Sequence, residues 1–387
     1  MERELVFSLA DGRAKIVRVD ALKGNDFWKL AFAGKTKDSR YYELIDRAMA
    51  DQFEHYYVVL DDHVGKTRAV QPIFFVRQNL VEGVPGRVRA VVDLVRKKFP
   101  RFLTMRVLMV GCAAGEGQLG VIDSSDETWL ARALPGVLLA FAKQERASLV
   151  VWKDFPANYR QSLAGLTEKS YVRVPSMPMT QLRIDYKNFD EYLGQIGYVS
   201  RKSLRRKFRK TERTVQIDMK VMTDIAPNIE EIYPLYLQVH ERSPMKFEVL
   251  TKEFFCEIGR TMPERARFFV WRSSGKIIAF SLCLVSGDTI HDECLGLDYQ
   301  VAFELYLYFY TLRDVLSWAM VQGLRYYSSG PLNYDPKLHL GHELVPLDLY
   351  VMHTKPPLNP IFQFAVKYLE PTRHDPVLKK FPNADQL

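Results

Sequence analysis

The chain has 387 residues, a net charge of +8, and 47% hydrophobic, 12% aromatic and 26% charged residues. These are globular proportions, and they exclude collagenous, coiled-coil and disordered classes. The length predicts about two domains, each able to bury its own core. The longest apolar run, Ala133 to Ala142, contains Pro135 and Gly136 and is short against the roughly 20 residues that span a bilayer. The start, MERELVFSLADGR, mixes acids and bases, so no signal peptide is expected. Cys112, Cys256, Cys283 and Cys294 are scattered without CxxC spacing, which fits a reducing compartment. The expectation is a soluble, cytoplasmic protein.

In chain order, Tyr42 to Phe53 reads as a helix and Tyr56 to Leu60 as a strand. Asp61-Asp62-His63-Val64-Gly65 then turns the chain into a second strand, Ala69 to Arg77. Apolar spacing predicts a helix over Arg87 to Phe99, stopped by Pro100. Arg106 to Val110 is a buried strand, and a helix from Glu127 to Arg146 feeds the strand Ala147 to Trp152. The second half repeats the plan. Helices are expected at Ile229–Glu241 and Thr251–Met262, and strands at Arg267–Arg272 and Lys276–Val285 around Ser273-Ser274-Gly275. A third strand, Thr289 to Leu297, precedes a long helix from Phe303 to Gln322, capped by Gly323. Leu324 to Ser328 follows as a strand. The pattern is an internal structural duplication with a boundary near Ile184 to Phe189.

Five stretches could carry chemistry. The glycine cluster Gly111-Cys112-Ala113-Ala114-Gly115-Glu116-Gly117 follows a strand, as a cofactor loop would. It leads into Gln118 to Asp123 before any helix, and the next strand ends late, in Trp152-Lys153-Asp154; a connecting loop fits better. Between Arg201 and Arg213 lie eight basic residues and one acid, so nearly all the net charge sits in one stretch. Leu204, Phe208 and Thr211 recur there at helical spacing, so one side can pack while the other meets solvent or phosphate. Aromatic interleaving is too sparse for sequence-specific single-strand binding. His291-Asp292-Glu293 lies within an apolar strand, where polar residues need partners or a cleft. Alternation sends His291 and Glu293 to one face and Asp292 to the other. Glu304 is expected in the first turn of its helix, where either the dipole or a general-base role accounts for it. The last stretch, Ser328 to Leu338, is a polar loop at a strand end. No second ligand cluster matches a metal site.

The ordered set resembles the GNAT N-acyltransferase fold in its doubled, FemAB-like form. The resemblance rests on Asn188 to Leu193 running into Ser203 to Lys210, on Phe303-Glu304-Leu305-Tyr306 with its helix and Gly323 to Tyr326, and on Ser329-Gly330 through Asp335-Pro336-Lys337-Leu338 to Gly341–Pro346. It covers mainly residues 186–350; the first half matches in element order alone. The resemblance implies an α/β (α+β) chain of two tandem GNAT-like domains, each a mixed, mostly antiparallel sheet flanked by helices. The N-terminal domain would be 1–185, and the C-terminal domain 186–387, opening with the basic helix. It further implies acyl transfer to an amine, with acyl-CoA as co-substrate or aminoacyl-tRNA as donor, while the residue spacing itself points to no metal. The Gln/Arg-x-x-Gly-x-Gly/Ala loop usual in CoA-binding members reads Gln300-Val301-Ala302-Phe303-Glu304 here, without either glycine, which leaves tRNA open.

Amine attack on a thioester or ester needs a proton acceptor and stabilisation of the tetrahedral oxyanion. Glu304 or Glu293 is the expected base, with His291 as competitor. Lys337 and Tyr334 are candidates for oxyanion or leaving-group contact. Arg201, Lys202, Arg205, Arg206, Arg209, Ser328 and Ser329 are candidates for the donor and its phosphates. A non-catalytic GNAT-like protein binding a phosphorylated ligand or RNA is the alternative, and the acceptor amine stays open.

Overall fold

In the computed structural model, which describes residues 5–79, 94–98, 104–368 and 370–387, the first hairpin lies ahead of anything the sequence pattern marks. It pairs β1 (Leu5–Leu9) with β2 (Gly12–Val17). Two short helices follow, each started by a side chain that satisfies a free amide. Asn25 caps α1 (Asp26–Phe32) by accepting from the Trp28 amide, and Asp38 caps α2 (Ser39–Ala48) by accepting from Arg40. The expected hairpin is β3 (Glu54–Asp62) and β4 (Thr67–Asn79), paired antiparallel. Then come β5 (Thr104–Val110), α3 (Asp126–Gln144), β6 (Leu149–Pro156), the single-turn α4 (Gly165–Glu168) and β7 (Val172–Arg183). The helix expected over Arg87 to Phe99 falls mostly outside the described residues.

Two compact units share the chain: Met1–Ser176 with Pro346–His374, and Met177–Val345 with Asp375–Leu387. In the first unit the strand order is β1-β2-β3-β4-β5-β6, completed by β13 (Glu343–His353), whose Leu347–His353 pairs antiparallel with β6. β5 and β6 are parallel, as a helical crossover through α3 requires. Val58, Leu60, Ile73, Leu108, Leu134, Phe141 and Trp152 fill the core between this sheet and α3.

In the second unit β7 continues into α5 (Phe189–Gln195), α6 (Tyr198–Thr214), β8 (Asp218–Met222), α7 (Ile229–Arg242) and α8 (Lys252–Thr261). β9 (Ala266–Ser273) and β10 (Lys276–Ser286) form the second expected hairpin. Positive φ at Ser274 and Gly275 gives its two-residue turn the twist of the strands. β11 (Thr289–Leu297), α9 (Leu307–Val321), β12 (Tyr326–Ser329) and α10 (Tyr334–His339) follow. The strand order is β7-β12-β11-β10-β9-β8, antiparallel except between β11 and β12. Leu378 and Phe381 return from the chain end to pack on Met177, Tyr334 and Leu344. The remaining helix, α11 (Asn359–Tyr368), belongs to the first unit.

Two helices are placed differently from expectation: the one expected over Tyr42 to Phe53 runs from Ser39 to Ala48, and the long one starts late. The long helix starts at Leu307, not Phe303, because residues 298–305 make a turn of their own. The Asp298 carbonyl accepts from Val301 and Ala302, its carboxylate accepts from the Gln300 amide, and Tyr306 at φ 48° breaks the path into α9. Glu304 is therefore in that turn and not in the helix's first turn. At the other end Gly323, at φ 73°, closes the helix as expected.

Candidate active site

Strand β11 carries His291-Asp292-Glu293, and its two neighbours fall out of step there. β10 pairs Cys283 with Asp292 and Leu282 with Cys294, so Glu293 is the extra residue of a β-bulge. On the other side the parallel ladder to β12 ends at Asp292 opposite Ser329. β11 runs on to Leu297, and among the described residues no strand pairs with Glu293–Leu297 on that side. An edge of this kind can pair with an extended ligand.

Polar side chains gather where the ladder ends. Asp292 accepts from Ser281 of β10 and from the Tyr327 hydroxyl of β12, each at 2.6 Å. Burial pushes its carboxyl above the usual carboxylate range, against the pull of those two hydrogen bonds and of Lys337. Lys337 of α10 is 6% exposed and donates to the Gly330 carbonyl at 2.6 Å. Among the described residues no carboxylate lies within ion-pair distance of it. Desolvation lowers its ammonium to about 8, partly opposed by Asp292. Ser329 and Thr180 share a hydrogen bond of 3.0 Å, and Thr180 meets His342 Nδ1 at 3.2 Å. His342 is held neutral, down to about 3, by burial and then by the Lys337 charge, and its Nε2 has no partner among the described residues.

The expected site residues divide accordingly. Ser328 and Ser329 are buried on β12, and Ser328 is paired with His291 across the ladder. His291 and Glu293 are half-buried on β11. Tyr334, beneath Lys337 on α10, is buried and donates to the Pro178 carbonyl at 2.8 Å. Glu304 is exposed in its turn and, among the described residues, has none of the hydrogen bonds, ion pairs or ring contacts that join the others. Ser281, Tyr327, Thr180 and His342 join this network although the sequence did not single them out. A lone serine inside the apolar run Ile277–Val285 was the visible signal for the first.

The basic stretch is α6, and it buries the expected Leu204, Phe208 and Thr211. Lys202, Arg205, Arg206 and Arg209 are exposed, while Arg201 is half-buried and reaches the Gly194 carbonyl. The helix lies beside the start of α9. Thr211 donates to the Leu305 carbonyl at 2.7 Å, and Lys207 Nζ sits 3.5 Å from the Phe309 ring centroid. Between α5, α6 and α9 is a cleft of about 480 Å³, whose walls include Arg205, Arg209, Arg313, Lys187, Phe189 and Phe208.

The first unit answers the same strand-helix-strand geometry differently. β4 and β5 pair in unbroken register from Ile73–Val110 to Asn79–Thr104, without a bulge. The glycine cluster then folds back onto β6. Gly117 donates its amide to the Asp154 carbonyl at 2.9 Å, so close that a Cβ there would lie 2.5 Å from the Lys153 carbonyl oxygen. Lys37 pairs with Glu116 at 2.7 Å, Lys153 holds the Gly115 carbonyl, Tyr41 holds that of Ala114 and Lys35 that of Leu119. The cluster is a packed connecting loop. Among the described residues no His, Cys, Asp and Glu group is arranged to hold a metal, and no helix is long and apolar enough to cross a membrane.

A family model called FemAB_like, described as peptidoglycan biosynthesis/recognition, matches residues 100–363. The chain belongs to the FemAB_like family. Its fold is also that of a crystal structure of FemX, with a TM-score of 0.53 at 11% identity, covering 88% of this chain and 98% of that one. A tandem GNAT protein from the clavulanic acid biosynthesis pathway aligns at 12% identity and a TM-score of 0.46, over 89% and 99% of the two chains. Among curated proteins, one from Mycobacterium tuberculosis (strain CDC 1551 / Oshkosh), whose name proposes an 8-amino-7-oxononanoate synthase 2, is 23% identical over 318 residues. That match takes in 80% of this chain, which spans about 41% of the relative's length. The fold class expected from the sequence, an α/β chain of two units of mixed, mostly antiparallel sheet with flanking helices, is the one observed. The likeness to FemX is one of fold, and it leaves activity, donor and acceptor open.

Proposed function

We propose that the second unit transfers an acyl or aminoacyl group from a phosphate-bearing donor, acyl-CoA or aminoacyl-tRNA, to an amine. The observation that carries this reading is the end of the β11–β12 ladder at Asp292–Ser329, where β12 stops and β11 runs on, with the bulge at Glu293 and a buried Lys337 beside it. If the donor is acyl-CoA, its extended amide chain lies along the open edge of β11. Arg201, Lys202, Arg205, Arg206 and Arg209 of α6 take its phosphates, with Arg205 and Arg209 reaching them through the cleft between α5, α6 and α9. Ser328 and Ser329 border the reacting carbonyl. Glu293, beside His291, accepts the amine's proton, while Lys337 stabilises the oxyanion. Tyr334 supports Lys337 from below. Glu304, exposed in its turn, is the less favoured base.

For the acceptor we propose a primary amine next to a ketone on an aliphatic chain. The name of the curated relative describes the making of such an amino-oxo compound, and more than half of its length lies outside the match. Making an amine and acylating it are chemically consecutive steps. The deciding experiment is a melting-temperature titration with acetyl-CoA, free CoA and a charged tRNA, followed by transfer to an α-amino ketone. Saturation at about 100 times the dissociation constant stabilises the fold by roughly 2.7 kcal/mol. A rise with CoA or with tRNA selects the donor; no rise with either, and no transfer, removes the proposal.

A further inference from the structure

We propose that Asp292 is a positioning residue of the transfer site: its carboxyl ties β10 and β12 to β11 at the last β11–β12 pair, and so sets the open edge where donor and acceptor meet. The inference rests on the second unit being the transferring one. One oxygen of Asp292 is held by Ser281 on the strand to one side, and the other by Tyr327 on the strand to the other, both at 2.6 Å. A single carboxyl thus bridges three strands. It does so at a place where backbone pairing weakens on both flanks, through the bulge at Glu293 and the end of the ladder at Ser329.

Packing alone does not ask for this residue. Its neighbours in the sheet include Leu282, Cys283, Leu284 and Ile290, all buried and apolar or nearly so. Asp292 is half-buried as a residue, and its desolvated carboxyl, with no cation at ion-pair distance among the described residues, costs stability that an aliphatic side chain would not. A void of about 20 Å³ adjoins it, bounded by Ser281, Tyr308, Thr311 and Tyr327, enough for one water with several polar partners. The titratable groups facing the carboxyl are Cys283 from β10, Cys294 on β11, Tyr327 from β12, Tyr308 from α9 and Lys337 from α10.

The substitutions separate linkage from charge. Asp292→Asn can accept from one hydroxyl and donate to the other, keeping both links; Asp292→Ala loses both. Two readouts apply to the full chain, amide hydrogen exchange over residues 290–292 and 326–329, and steady-state transfer. With Asp292→Ala, exchange there is expected to quicken at least tenfold. At the same time kcat should fall at least tenfold with KM within threefold, and Asp292→Asn should restore both to within threefold of wild type. If Asp292→Ala does not fold, Ser281→Ala combined with Tyr327→Phe removes the same two donors and should show the same pattern. Wild-type exchange and kcat in these variants overturn the proposal, as does an Asp292→Asn variant as impaired as Asp292→Ala. Quickened exchange in a protein that transfers from neither CoA nor tRNA keeps the clamp and removes the acyltransferase reading.

Discussion

A buried ammonium without a carboxylate partner among the described residues, as at Lys337, is held against the cost of desolvation, and its lowering to about 8 gives it a pH signature. If it holds the oxyanion as a cation, kcat should fall as pH rises through about 8. Lys337→Met should lower kcat by about 100-fold or more, the scale of losing one oxyanion donor, with little change in donor KM. Unfolding should show the opposite trend from the same residue. The folded state gives up the Lys337 proton near 8 and the unfolded chain near 10.5, so stability rises with pH across that window. On the acid side, His342 and His55 are both neutral in the fold, lowered to about 3 and about 4. The unfolded chain takes these protons first, so stability is lost as pH falls below about 6.5. Melting temperature against pH checks both limbs, and His342→Gln should flatten part of the acid one.

At the scale of elements, the helices and strands with strong periodicity were legible. The hairpins β3–β4 and β9–β10, the strand β11 and the buried stripe of α6 all follow from apolar spacing and turn residues. The bulge at Glu293 was not legible, because it is a mismatch between two strands and neither strand shows it alone. Strict alternation at His291-Asp292-Glu293 missed it for that reason. The later start of α9 depends on the conformation of Tyr306, a residue without glycine's freedom at positive φ. The role of α6 can be tested directly. Reversing charge at Arg205, Arg206 and Arg209 together should raise donor KM at least roughly tenfold, leaving kcat nearly unchanged, because these groups bind the donor away from the reacting bond. Wild-type KM should climb with salt for the same reason. In the first unit, Gly117→Ala would force backbone apart at the Lys153 carbonyl. A loss of about 1–3 kcal/mol, or roughly 2 to 12 °C in melting temperature, is expected from calorimetry.

Across the whole molecule, the chain visits each unit twice. A break after His374 leaves most of the second unit's sequence intact but removes Leu378 and Phe381, which pack on Met177, Tyr334 and Leu344. Tyr334 opens the helix that carries Lys337, so this truncation should cost activity well beyond its thirteen residues. Circular dichroism should show a lower melting temperature, and added peptide 375–387 should recover part of it. The tandem arrangement was legible from element order, whereas the return of residues 346–374 to the first unit was not. Local pattern marks β13 as a strand-forming stretch without saying which sheet receives it.

That return also imposes an order on synthesis. The strand that completes the first sheet beside β6 is Leu347–His353, made only after the whole of residues 177–345 has left the ribosome. At roughly 5–20 residues per second, the delay after β6 is roughly 10 to 40 s. Throughout it the nascent first sheet ends on β6, whose apolar Leu149-Val150-Val151-Trp152 is a ready partner for the wrong strand. Co-expressing chaperones that act during translation is then expected to raise the soluble yield of this chain.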